Sequence, residues 1–64
     1  MKIQEIRKAS GLSQRQLAEA SGVNVRVLQH YEQGFKDINK AAAETVKALA
    51  DALGVRMEDL IEER

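Results

Sequence analysis

Apolar residues recur along the chain at helical spacing, and glycines interrupt them at Gly11, Gly22, Gly34 and Gly54. Ile3 and Ile6 share one face of the first run, Leu17 and Ala18 mark the second, and Leu28 and Tyr31 mark the third. In the fourth, Ala42, Val46, Leu49, Ala50 and Leu53 follow the helical period. The last run is short, with Leu60 and Ile61 expected to face inward. Each glycine follows a run and precedes a new one, where a left-handed residue can close a helix. The pattern predicts five helices, at about residues 2–10, 13–21, 24–33, 39–53 and 57–62. The expected fold class is an all-α five-helix bundle.

Local chemistry sharpens some of these boundaries. Ser13-x-x-Gln16 is a capping-box signature, in which hydroxyl and amide side chains satisfy each other's backbone N–H groups. Asn24 is a good N-cap for the third helix. Glu58 and Asp59 suit the start of the fifth, but Arg56 is a poor cap, so that helix is expected to fray. Between Gly34 and Asn39 lies a loop, Phe35-Lys36-Asp37-Ile38, with Ile38 expected to be buried and Phe35 partly exposed.

Composition supports the same class. The 64 residues make one small domain, 1–64, of modest stability. There is no Cys to form a disulfide or a thiolate metal site, and no Pro to interrupt a helix. No apolar run approaches the roughly twenty residues of a membrane span, and no signal-peptide core is present, so a cytoplasmic location is expected. The formal net charge is zero, yet it is unevenly divided. Residues 1–40 carry seven Lys/Arg against four acids, and residues 41–64 carry three against six. A basic N-terminal part could meet a polyanion, although solvated helix faces would give the same split.

The third helix holds the most telling chemistry. On a helical wheel Leu28 and Tyr31 point one way, with Val27 and Glu32 at the margin. Val25, Arg26, Gln29, His30 and Gln33 fill the other side. Arg can donate two bonds to guanine, Gln can pair with adenine, and Val can pack on a thymine methyl. An α-helix fits the major groove, with its N-terminal half against the bases. His30, one turn beyond Arg26, could meet a base or a phosphate. The preceding helix begins at Ser13-Gln14-Arg15, where free amides and side-chain donors could face a phosphate. On the other flank Lys36, Asn39 and Lys40 could grip the same backbone. A plain amphipathic helix with a wet outer face is the competing account.

These residues also carry a resemblance. Leu12-Ser13-Gln14-x-x-Leu17-Ala18, then Gly22-Val23, Leu28, Tyr31-Glu32-Gln33-Gly34, Leu53-Gly54-Val55 and Leu60 resemble the phage Cro/repressor type of helix-turn-helix, the XRE family, over about residues 3–61. The resemblance implies five helices and binding of double-stranded DNA, often as a two-fold homodimer. It implies that Gln14 touches phosphate and braces the start of the third helix. Val25, Arg26, Val27 and His30 then stand at the positions used against base edges, with Gln29 nearby, and Arg7 and Glu32 match a family ion pair. Two positions depart from the pattern: Val27 and Gln29 stand where small hydroxyl residues are common, which changes the site that is read. Val27 could contact a thymine methyl or tuck into the core. The chain end, with Met57 and Ile61, is the expected dimer surface.

Catalysis is not expected. His30 is the sole imidazole, and Ser10, Ser13 and Ser21 look like helix ends. The acidic group Glu58, Asp59, Glu62 and Glu63 lacks the loop of a calcium site and reads as a solvated face. No Gly-rich phosphate loop occurs, and no cofactor, metal or small-molecule ligand is expected. The serious alternative to a DNA-binding regulator is a protein-interaction module, antitoxin-like or regulatory, using the same helical surface.

Overall fold

The computed structural model describes residues 1–62; Glu63 of the acidic group lies outside the described residues. Four α-helices are present among them: α1 (Lys2–Ala9), α2 (Gln14–Ser21), α3 (Val25–Gln33) and α4 (Ala43–Leu53). Two single 3₁₀ turns, Ile38–Lys40 and Met57–Asp59, follow α3 and α4. No helix among the described residues is long and apolar enough to cross a membrane.

The first three helices form where the sequence places them, and the ends of α2 and the start of α3 are fixed locally. The Ser13 hydroxyl accepts from the Gln16 amide at 3.0 Å, and the Gln16 side chain accepts from the Ser13 amide at 2.9 Å. Both halves of the capping box are therefore closed. α2 ends at Gly22, whose φ of 76° is left-handed, and whose N–H returns to the Ala18 carbonyl. Asn24 then caps α3 by accepting from the Arg26 amide at 2.8 Å.

The core lies at the meeting of these helices. α2 packs against both α3 and α4, and α1 packs against α3. Ile3, Leu17, Leu28, Leu49 and Leu60 are fully buried, one from each of the four helices and one from the tail. Burying such side chains stabilises the fold by about 1.5–3 kcal/mol each. Ile38 is buried with them, as its loop position suggested, whereas Phe35 is 76% exposed.

The second half departs from the prediction at two places. α4 begins at Ala43 rather than near Asn39. The Ala41-Ala42-Ala43 run favours helix but brings no capping oxygen. Asp37 supplies one earlier, accepting from the Asn39 amide at 2.9 Å, and so caps the short turn Ile38–Lys40. Ala41 and Ala42 are then extended, with ψ of 153° and 143°. Ala42, expected in the core, is an exposed N-cap residue.

The predicted fifth helix over 57–62 is only the 3₁₀ turn Met57–Asp59, so the bundle has four helices rather than five. Asp59 accepts from the Arg56 amide at 3.0 Å and closes that turn. Beyond it the backbone of Glu62 is drawn out of any helix, because its N–H and C=O both pair with the Asn39 side chain, at 2.8 and 2.6 Å. Glu62 also accepts the Lys2 amide on its carboxylate at 2.7 Å. Met1 offers α1 no side-chain cap, so the far end of the chain caps it. Leu60 and Ile61 do face inward, Leu60 fully and Ile61 in part.

Candidate nucleic-acid interface

The sequence sorts α3 into an apolar and a polar side, and packing follows that division. Leu28, Tyr31 and Glu32 are buried. Val25 and Arg26 stand in solvent, Gln33 is exposed at the end, and Gln29 and His30 are half-buried. Val27, given a base-edge place by the resemblance, is half-buried and packs against the core. Val27 shares its partial exposure with Gln29 and His30, so its core contact and an outward contact are not exclusive, and Val25, Arg26, Gln29 and His30 form the rest of the outer arc.

A polar network fixes how that arc is presented. Arg7 of α1 forks onto Glu32, Nε to Oε2 at 2.7 Å and Nη2 to Oε1 at 3.0 Å, while Nη1 donates to the Leu12 carbonyl at 2.8 Å. The side chains are 9% and 0% exposed, so the pair is buried. Hydrogen bonding to Glu32 holds the Arg7 guanidinium above its ordinary range; burial opposes the rise and the Glu32 charge adds to it. Every buried side-chain polar atom described has a partner, as such a network requires.

Gln14 joins the network to α2. Its Nε2 donates to Glu32 Oε1 at 3.0 Å, and its Oε1 accepts from Gln29 Nε2 at 3.3 Å. Gln14 therefore braces the middle and last turn of α3, not its start as the resemblance implied. A carboxamide has two N–H groups, so one remains for a phosphate. Periodicity could not reveal the Gln14–Gln29 contact, because it depends on how α2 crosses α3.

The flanking cations are placed unequally. Arg15 pairs with Glu19 at 3.5 Å, but both side chains are in solvent and the pair is weak. Arg26, Lys36 and Lys40 are exposed and have no acidic partner among the described residues. The His30 carbonyl accepts from the Phe35 and Lys36 amides at 2.9 and 3.2 Å, which folds the loop back on α3. The rings of His30 and Phe35 meet edge-on, 6.0 Å apart. Asn39, expected to grip phosphate, also meets the tail, and like Gln14 it keeps one side-chain N–H beyond the bonds it makes. Its side-chain oxygen and nitrogen both face the Glu62 backbone, so the carboxamide is engaged by the tail.

A family model described as helix-turn-helix matches residues 3–60 of this chain. The chain belongs to the Cro/repressor type of helix-turn-helix. Compared with curated proteins and with solved structures, it has no match in either. In this helix-turn-helix α2 and α3 are the paired elements and Gly22 lies in the turn between them. Its family is one of DNA-binding regulators of the XRE type, which makes the outer arc of α3 the surface of interest.

Proposed function

We propose that the chain is a sequence-specific transcriptional regulator that lays α3 in the major groove of double-stranded DNA and acts as a homodimer. The observation that carries this reading is the outer arc itself. It combines exposed Val25 and Arg26 with half-buried Gln29 and His30, on a helix whose orientation is fixed by a buried ion pair. Arg26 is assigned the bidentate contact to guanine, Val25 a thymine methyl, and Gln29 an adenine edge. His30 closes the arc toward the loop. Phosphates are assigned to Arg15, Lys36 and Lys40 and to the remaining Gln14 N–H.

Zero net charge makes a single domain a weak polyelectrolyte ligand. Two copies on a palindrome, with their α3 helices about 34 Å apart, double the phosphate contacts and supply the missing affinity. Selection of bound duplexes from a random pool tests the reading. The expected result is a palindromic consensus whose binding weakens steeply with salt. Recovery of no consensus, with little binding at any salt, would favour the protein-interaction module instead.

A further inference from the structure

Asn39 is a short polar residue in a loop, and sequence logic makes it one more donor to a phosphate. The fold gives it further work. Its backbone N–H is held by Asp37, and its side chain is held by the Glu62 backbone through two opposed hydrogen bonds. Glu62 is itself fastened to the first amide of α1, and the Lys2 ammonium donates to the Ile61 carbonyl at 3.3 Å. The loop between α3 and α4 is thus tied to the tail and, through it, to α1.

That loop carries Lys36 and Lys40, two exposed cations without an acidic partner among the described residues. Ile38 anchors it in the core, and the His30 carbonyl holds its start. Between Ile38 and α4, Ala41 packs in part against the core and Asn39 supplies a polar side-chain tie. A cation on a loose loop reaches phosphate only after the loop is ordered, so a contact made from a fixed loop is stronger. We propose that Asn39 is a positioning residue for DNA binding: it clamps the tail and thereby holds the neighbouring Lys40 against the phosphate backbone, while Lys36 is held by the His30 carbonyl. The inference rests on the DNA-binding reading above.

Salt dependence separates this role from mere stability. Log affinity should fall with log salt at a slope of about 0.9 per phosphate neutralised. Asn39→Ala should shallow that slope by up to about 0.9 per bound chain, the share of Lys40. Discrimination against a mismatch opposite Arg26 should stay within about twofold of the parent protein. In a Lys40→Ala background, Asn39→Ala should change DNA affinity no further. If Asn39→Ala folds poorly by circular dichroism, the pair can be opened from its other side. Glu62→Pro removes the N–H that Asn39 accepts, and Glu62→Ala removes only the carboxylate; the first should shallow the slope and the second should not. An unchanged slope in both Asn39→Ala and Glu62→Pro, or an Asn39→Ala effect that persists without Lys40, overturns the positioning role while leaving the DNA reading intact. A parent protein with no salt-dependent binding overturns the DNA reading itself, and the positioning role with it.

Discussion

α3 and the loop that follows it are held in place by different physics. Toward α1 and α2, Arg7, Gln14 and Glu32 form a charged network almost closed to solvent. Toward the loop and tail, a neutral carboxamide meets the irregular backbone of Glu62 in a half-buried position. Removing one member of the first arrangement strands a charge in a medium of low polarity. Removing Asn39 from the second lets water take its place on the Glu62 backbone. The first side is therefore tied to the stability of the whole fold, whereas the second governs where a few residues sit.

Four substitutions measure that contrast. Arg7→Ala should be the most severe, costing about 3–5 kcal/mol in urea unfolding because buried Glu32 loses its counter-charge. A loss below about 1 kcal/mol would show that the network is no different in kind from the loop side. Arg26→Ala should leave stability alone and cost about 1–3 kcal/mol of binding at the selected sequence, with nonspecific binding nearly intact. An equal loss on every sequence would reassign Arg26 to a phosphate. Ser13→Ala opens the capping box of α2 and should cost about 1 kcal/mol of stability, with base preference unchanged. A changed consensus would mean that the cap, and not only the buried network, sets the angle of α3. Lys36→Ala should have the smallest effect, weakening all duplexes alike and shallowing the salt slope by about one. A loss confined to the preferred duplex would move the loop side into sequence reading.

The same contrast explains what could be read from the sequence. α2 and α3 were legible to within about a residue because Ser13, Gln16, Gly22 and Asn24 act on amides close by in the chain. The exposed part of the arc, Val25 and Arg26, was legible because one helical period decides it. The start of α4 was not, since it turned on whether Asp37 would cap a short turn or leave the alanines to a longer helix. The missing fifth helix and the tail contact of Asn39 are one event, a pairing across 23 positions that no local pattern records. The helical period puts Gln29 opposite Leu28 and Tyr31, but its bond to Gln14 spans 15 positions and depends on the crossing of two helices.

Val25 and Arg26 are exposed, and neither belongs to the buried cluster or to an ion pair among the described residues. Replacing either one leaves the buried cluster and the ion pairs as they are, so under the proposed function the domain's address on a genome can be rewritten letter by letter. Glu32, one helical face away, allows no such freedom, since any exchange there must be matched at Arg7. New targets are open to single mutational steps from this scaffold, while the scaffold itself can change only in concert.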